Sequence, residues 1–217
     1  MNDNTTQTPK NYTVKILERK DVKDFIEKYH YSHNINGLMS NYCFGLFDNN
    51  IMIGAMIYGK MAMANQWKKY SVNDNSNQST IIELRRLVLI DDTAKNSESF
   101  FIAKTLKWLK NNTNVEVVVS YADPNYGHVG TVYKASNFVF LGKTSPGKVI
   151  MFNGKKYHDK AIRAKYNGKL KPFAVKLKKA LDNGEAYYVK QESKNIYAYY
   201  LYDKTKNNNT KQMQEKP

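Results

Sequence analysis

The sequence predicts an α/β fold, because segments with strand periodicity alternate along the chain with segments that have helical spacing. The clearest pattern runs from Val117 to Gly142: a β-branched strand, a polar loop, a short helix from about Val129 to Ser136 and a second strand. The next clearest is a hairpin, in which strands at 42–48 and 51–58 flank Asn49-Asn50. A strand–loop–helix–strand order is typical of folds that bind ligands at the carboxyl ends of their strands.

The other elements follow from local periodicity and from turn residues. In chain order they are a strand at 12–17, a helix capped by Asp21, a strand at 81–90, a helix from Ser97 to about Lys110, a strand at 149–152, a helix that begins at Pro172, and strands at 186–189 and 196–202 that we expect to pair with each other. Residues 68–80 predict a surface loop. We expect one domain at residues 12–203, with a basic C-terminal part at 148–203, and disorder at 1–11 and 204–217.

The chain is strongly basic, with 34 Lys and Arg residues against 19 Asp and Glu residues and a formal net charge of +15. The lysines either form a solvated surface without a specific partner or bind a polyanion. Because no single tail collects the charge, nucleic acid is the favoured partner. The densest basic cluster, with tyrosines interleaved, consists of Lys155, Lys156, Lys160, Arg163 and Lys165. Trp67, which precedes two lysines, is expected either to stack on a base or to cover the core.

Cysteine usage and hydropathy predict the compartment. The single cysteine, Cys43, excludes an internal disulfide and fits a reducing cytoplasm. Its place in a predicted strand favours a small core residue over a nucleophile. The sequence has no apolar run long enough to cross a membrane, and its first ten residues lack the apolar segment of a signal peptide. We therefore expect a cytoplasmic protein.

Two groups of polar residues are candidates for chemistry. His30, Tyr31 and His33 end the first helix, and imidazole with phenolate suits iron or zinc. The alternative is that a histidine there interacts favourably with the helix dipole. In the strand at 81–90, alternation sends Arg85 and Arg86 to opposite faces, so that one of them is expected to point inward and to be paired.

A third group follows the strand that begins at Val117, in addition to these two. Asp123 is a candidate proton acceptor, Tyr133 a candidate hydrogen-bond donor and His128 their titratable partner. His128 has an alternative interpretation, in which it braces the turn between two glycines. Ser120 has one as well, in which it satisfies backbone groups of the loop.

Three blocks of this sequence resemble the signature of the phage Mom family: Ser-Tyr-Ala-Asp at 120–123, Gly-His-Val-Gly-Thr-Val-Tyr-Lys-Ala-Ser-Asn-Phe at 127–138, and Glu-Leu-Arg-Arg-Leu-Val-Leu-Ile-Asp-Asp at 83–92. The resemblance implies a GNAT-like fold with a central mixed, mostly antiparallel sheet flanked by helices. It also implies a transferase that places a carbamoylmethyl-type group on the N6 amine of adenine in double-stranded DNA and so protects phage DNA from host nucleases. The family pattern selects Arg86 over Arg85 and implies iron as a possible metal.

The donor of the transferred group is the least defined part of the prediction. Ordinary GNAT enzymes cradle a pyrophosphate on a Gly-rich turn, which this sequence lacks before Ser97. Candidate donor-binding residues are Asn96, Ser97, Ser99 and Ser120, although helix capping explains the two serines of the turn equally well. The missing glycines argue against acetyl-CoA. The alternative functions are an acyl-CoA N-acetyltransferase that acts on a protein or small amine, and a DNA-binding protein without catalytic activity.

Overall fold

The computed structural model describes residues 9–202. The disorder expected at residues 1–8 and 204–217 lies outside the described residues. Residues Pro9–Asn11, which we also expected to be disordered, form a short 3-10 turn. Contacts between backbone positions divide the chain into two compact units. The first contains the described residues up to Ala122, residues 129–142 and residues from 195 onward, and the second contains 123–128 and 143–194.

The first unit is built on a seven-stranded sheet with the order β1-β2-β3-β4-β5-β12-β6. Its strands are β1 (Thr13–Leu17), β2 (Tyr42–Asp48), β3 (Ile51–Lys60), β4 (Ile81–Leu89), β5 (Val117–Ala122), β6 (Val139–Lys143) and β12 (Asn195–Tyr200). β4 and β5 are parallel, whereas β1–β2, β2–β3, β3–β4 and β5–β12 are antiparallel. The predicted hairpin is β2 and β3, and the mixed, mostly antiparallel sheet is confirmed.

Three helices accompany this sheet: α1 (Arg19–Tyr29), α2 (Ser97–Asn112) and α3 (Thr131–Ala135). α1 begins earlier than expected, because Glu18 is its N-cap and Asp21 completes a capping box from the third helical position. Cys43 packs in one core cluster with α1, and the neighbouring Phe44 packs in another with α2. Since successive strand residues point to opposite faces, α1 and α2 cover opposite faces of the sheet. Cys43 is the core residue that we expected.

The segment predicted as a surface loop is held by specific contacts. Residues Gln66–Tyr70 form a 3-10 helix. Beyond it, the carboxylate of Glu116 accepts hydrogen bonds from Asn73, Ser76 and Thr80 at 2.7–2.9 Å. These bonds outweigh the effect of burial and lower the pKa of Glu116, so that the carboxylate stays charged and closes the loop.

The second unit has its own sheet, with the order β11-β7-β8, and a two-stranded ribbon. Its elements are β7 (Lys148–Phe152), β8 (Lys155–His158), β9 (Lys165–Tyr166), β10 (Lys169–Leu170), α4 (Pro172–Asp182) and β11 (Ala186–Lys190). Ile150 and Phe152 pack against Leu177 and Ala180 of α4 in a separate core. The expected pairing of 186–189 with 196–202 is therefore wrong: β11 pairs with β7, and β12 pairs with β5.

The longer segment of the second unit, 143–194, lies in sequence between β6 and β12, which are neighbouring strands of the large sheet. The two ends of this segment lie side by side, because the Thr144 N–H donates to the Lys194 carbonyl at 2.9 Å. The segment therefore has the form of an insertion between two adjacent strands. We expected one domain whose basic part runs from 148 to 203, whereas residues 195–202 of that part lie in the first unit.

Candidate functional site

β4 and β5 separate in the middle of the large sheet. They pair in parallel from Ile81 and Val117 to Leu84 and Ser120, after which β4 continues along β3 and β5 continues along β12. Ser120 lies at the point of separation, fully buried, with Oγ 3.5 Å from the Leu84 carbonyl. The opening beyond these residues is the candidate active site, and it belongs entirely to the first unit.

Tyr133 projects from α3 to this point and is linked to Ser120 by a hydrogen bond between their side chains. Its ring packs against Phe138 and Tyr197, with 5.5 Å between ring centroids in each case. Burial raises the pKa of Tyr133 to about 12, although the bond with Ser120 opposes the rise. The hydroxyl of Tyr133 is therefore protonated at neutral pH and is a hydrogen-bond donor.

Gly130 makes this placement possible. Its φ of +92° belongs to the left-handed region, and a Cβ there would lie 2.2 Å from the ring of Tyr197. The hydroxyl of Tyr197 in turn donates to the carbonyl of Val129 at 2.9 Å. The turn before α3 is thus fixed against the aromatic cluster that carries Tyr133.

A bulge in β4 removes the alternation on which the choice between the two arginines rested. Arg86 pairs with Ile57 and Leu84 with Tyr58, so that Arg85 is an extra residue without a partner position on β3. Arg85 Nη1 donates to the Lys60 carbonyl at 2.8 Å and lies 3.4 Å from Glu83.

Arg86 is anchored differently. Its guanidinium donates to the carbonyl of Arg85 at 2.7 Å and to that of Asn34 at 3.3 Å, while its buried Nε has no hydrogen-bond partner. Burial lowers the pKa of Arg86, and the nearby Tyr31 opposes that effect. Both arginines are partly buried, so the question of which one faces inward has no single answer.

Tyr31 acts electrostatically on both Arg86 and Tyr133, which places the segment after α1 beside the opening. The metal-binding hypothesis also rested on its neighbours. His30 Nδ1 accepts from the Ser32 N–H at 3.1 Å, and His33 Nδ1 bonds to the Glu27 carbonyl at 3.0 Å. Among residues 9–202, no three His, Cys, Asp or Glu side chains come together as metal ligands. Because tyrosine is not among these four ligand types, the iron site at His30, Tyr31 and His33 stays a prediction.

The opposite face of β5 carries a polar cluster that sequence reasoning missed. Tyr121 Oη lies 3.0 Å from Tyr70 Oη and accepts a hydrogen bond from Gln66. Burial raises the pKa of Tyr121, and Glu83 acts electrostatically on it in the same direction. The sequence feature that could have identified this cluster is the continuation of β5 through Tyr121 to Ala122.

Asp123 and His128, two of the predicted catalytic residues, belong to the second unit. Asp123 is buried, and its carboxylate accepts from the backbone N–H and the side-chain amide of Asn125 at 3.1 and 2.8 Å. Lys194 Nζ lies 2.8 Å from the other carboxylate oxygen. Burial alone would raise the pKa of Asp123, but the bonds from Lys194 and Asn125 outweigh it and lower the pKa. His128 is exposed, and its backbone N–H donates to the Asp123 carbonyl.

The turn before α2 keeps the shape of a glycine turn without a glycine. Asn96 is the N-cap and adopts φ +68°, in the left-handed region that Asn tolerates better than most residues. Ser99 donates to the carbonyl of Asn96 at 3.0 Å and is partly exposed. Ser97 differs from our expectation, because it is fully buried and its hydroxyl donates to the Ala94 carbonyl. It is a structural part of the turn.

A cavity of about 460 Å³ lies in the first unit beside this turn. Asn96 and Ser99 line it, together with Lys107 and Lys110 of α2. Ser136, at the end of α3, also lines it, and its buried hydroxyl has no hydrogen-bond partner. The two lysines and the serine were not predicted; the spacing of the lysines along α2 is that of one helix face.

The predicted nucleic-acid-binding residues divide between the two units. Lys155, Lys156, Lys160, Arg163 and Lys165 are all exposed in the second unit. Arg163 also pairs with Asp159 at 3.2 Å. Trp67 is partly buried and packs on the core cluster of Met61 and Tyr70, which is the position that we gave as its alternative. In the described part of the chain, no helix has the length and hydropathy to cross a membrane.

Sequence comparison relates the chain to one family. A model of the Mom protein family matches residues 11–217. The methylcarbamoylase mom of Escherichia phage Mu is 32% identical over 129 residues, which cover 55% of this chain and 49% of that protein. The chain thus spans about half the length of the curated relative that it matches.

Structure comparison supports the fold. NAA60 of Arabidopsis thaliana in complex with acetyl-CoA aligns with a TM-score of 0.51 at 9% identity, covering 87% of this chain and 98% of that chain. An N-acetyltransferase from Staphylococcus aureus aligns with a TM-score of 0.46 at 14% identity, covering 88% and 99% of the two chains. The GNAT-like fold that the sequence predicts is confirmed.

Proposed function

Because the chain belongs to the Mom protein family, we propose that it is a phage-type transferase that modifies the N6 amine of adenine in DNA with a carbamoylmethyl-type group. The proposed role is protection of phage DNA from nucleases in the host cytoplasm. The observation that supports it most strongly is the family match over residues 11–217, whose signature residues Ser120 and Tyr133 meet at the separation of β4 and β5.

The opening has the groups that transfer to an amine requires. As the amine nitrogen attacks, negative charge develops on the group that accepts the electrons, and fixed donors in a water-poor site stabilise that charge. Tyr133 is such a donor, because its buried hydroxyl is protonated at neutral pH and faces Ser120 in the opening. Arg86 adds a positive charge, and its buried Nε, like that of Arg85, has no hydrogen-bond partner. Ser120 holds the Tyr133 hydroxyl in place.

The reaction also needs a base that receives the proton of the attacking amine. Asp123 was our candidate, but a lowered pKa makes it a weak proton acceptor, and both its oxygens already accept hydrogen bonds or ion pairs. Glu83, which pairs with Arg85 next to the bulge, is a second carboxylate in the first unit. We therefore give Glu83 the role of proton acceptor within this proposal.

The donor of the transferred group is proposed to lie in the cavity beside α2. Asn96 and Ser99 would hold it, with Lys107 and Lys110 compensating negative charge. Since Asn96 supplies the left-handed turn, the missing glycine is a weaker argument against acetyl-CoA than the sequence suggested. Attack of the amine on the thioester carbonyl of an acyl-CoA would release the CoA thiol and leave an N6-acyl group. A carbamoylmethyl group requires instead a donor whose methylene carbon carries a leaving group.

Mass spectrometry of nucleosides from co-expressed plasmid DNA tests the proposal. Wild type should produce a new adenosine species whose mass identifies the added group, and Tyr133→Phe should produce much less of it. Unmodified DNA from cells with abundant, folded wild-type protein would contradict the proposal. If acetyl-CoA then bound in calorimetry and a protein or small amine were acetylated, the chain would be an acyl-CoA N-acetyltransferase, which is the alternative function.

A further inference from the structure

The second unit carries most of the net positive charge of this protein. Its residues include fourteen Lys and Arg against five Asp and Glu, an excess of nine out of the formal +15 of the whole chain. The excess is concentrated further: between Asp159 and Asp182 there are eight basic residues and no acidic one. A folded surface of one sign attracts a polyanion more strongly than the same charge spread evenly.

The β9–β10 ribbon lies in the middle of this stretch. Its two strands are joined by Asn167 and Gly168, whose φ values of +46° and +76° are those of a type I′ turn. The Lys171 N–H donates to the Ala164 carbonyl at 2.8 Å and closes the base of the ribbon. The ribbon is thus a defined hairpin, and all of its residues from Lys165 to Leu170 are exposed.

Tyr166 is the aromatic residue of the ribbon, and 72% of its surface is accessible. It lies directly opposite Lys169 in the antiparallel register, so that the aromatic ring and the ammonium group share one face. Lys165 and Leu170 share the other face. An aromatic ring between lysines suits a nucleic acid, since lysines bind phosphates and the ring contacts bases.

We propose that the β9–β10 ribbon enters a groove of double-stranded DNA, with Lys165 and Lys169 on phosphates and Tyr166 against the bases. A two-stranded ribbon fits the major groove in width, and an aromatic ring there can contact the methyl group of thymine. DNA as the occupant rests on the proposed function, whereas the choice of a polyanion rests on charge alone. The insertion is then a docking module for the substrate.

The test is fluorescence anisotropy with a labelled 20-base-pair duplex and, as a polyanion without bases, labelled heparin. Tyr166→Ala is expected to weaken duplex binding on the order of tenfold and to leave heparin binding unchanged, and Tyr166→Trp is expected to restore the duplex affinity. Lys165→Gln with Lys169→Gln is expected to reduce the slope of log affinity against log salt by about two. The matched controls are Tyr187→Ala, an exposed tyrosine of β11, and Lys23→Gln with Lys28→Gln in α1.

Equal duplex affinity of wild type and Tyr166→Ala would overturn the inference, as would an equal loss on heparin or an equal loss in Tyr187→Ala. The inference would also be overturned if wild type proved to be a dimer and Tyr166→Ala a monomer with unchanged DNA binding. The ribbon would then contact a second copy of the chain. Nucleoside analysis separates this inference from the proposed function. Modified DNA with a dispensable ribbon removes only the inference, whereas ribbon-dependent binding without modified DNA removes only the proposed reaction.

Discussion

Lys194 Nζ lies 2.8 Å from the carboxylate of Asp123, and the pair joins the loop after β5 to the far end of the inserted segment. Asn125 strengthens the connection, because its side chain exchanges hydrogen bonds with the backbone of Glu192 at 3.0 and 3.3 Å. Asp123 lies in the family signature, and its contacts are those of a residue that holds a loop in position.

We expect Lys194→Met to lower the free energy of unfolding by about 1–2 kcal/mol at pH 7. The substitution leaves the buried carboxylate of Asp123 without its cation, and the loss stays below that of a fully buried pair because Lys194 is half-exposed. Urea unfolding measures the change. Lys190→Met, at an exposed lysine of β11, is the control and should unfold like wild type. Identical midpoints for both variants would contradict the expectation.

The same pair gives a pH dependence. The pKa of Asp123 in the folded protein lies below its ordinary value, since the bonds from Lys194 and Asn125 outweigh burial. Its stabilisation is therefore complete above the ordinary aspartate pKa of about 3.9 and is lost as the pH falls through the lower folded pKa. The difference in stability between wild type and Asp123→Asn should shrink when urea unfolding is repeated from about pH 6 down to about pH 3. A difference that stays constant over this range would assign the effect to packing.

Tyr133→Phe is expected to reduce adenine modification by about 10²-fold without unfolding the protein. The ring keeps its packing on Phe138 and Tyr197, and only the hydroxyl that meets Ser120 is removed. Nucleoside mass spectrometry at several times of expression gives the rate. Tyr42→Phe removes a hydroxyl from another partly buried tyrosine of the same core and should retain the wild-type rate. Comparable losses in the two variants would show that the effect is not specific to the opening.

Local patterns predicted the parts of the fold that local forces determine. The β2–β3 hairpin, α2 and α4 begin and end within a few residues of their predicted positions, because turn residues and caps lie next to them. The pairing of β11 with β12 failed for the opposite reason. Sequence neighbours usually pair, but here β11 completes the sheet of the insertion and β12 returns to β5. Periodicity carries no information about which distant strand becomes the partner.

The candidate site shows the same division. The signature identified Ser120 and Tyr133, which the structure brings together. Alternation could not place Arg85 and Arg86, because a bulge inserts one residue into β4 and reverses the facing of the residues beyond it. Tyr70 and Tyr121 were missed because 51 positions separate them in the sequence. Ser97 was a candidate for binding the donor, but its hydroxyl is buried and donates to the Ala94 carbonyl, which the sequence does not reveal.

Gly130→Ala is expected to destabilise the first unit by about 2–4 kcal/mol. A side chain costs energy at its positive φ, and the new Cβ would overlap the ring of Tyr197. Gly184→Ala is the matched control, because its φ of +78° is similar but no atom lies within 4 Å of the new Cβ. Gly184→Ala should lower the free energy of unfolding only by the cost of a side chain at a positive φ, about 1–2 kcal/mol. Equal shifts of the unfolding midpoint would show that the contact with Tyr197 contributes nothing.

The cavity beside α2 is expected to bind a compact polyanion through Lys107 and Lys110. Inorganic pyrophosphate is the probe: at saturating concentration it should raise the unfolding temperature of wild type by a few degrees, because a ligand that binds only the folded state stabilises that state. Lys107→Gln with Lys110→Gln should remove this shift, since both charges that line the cavity are lost. Lys104→Gln, at a lysine of α2 that lies over the ring of Phe100, should retain the shift. A full shift in the double variant would place the pyrophosphate elsewhere on this basic protein, and the cavity would then lose its role in holding the donor.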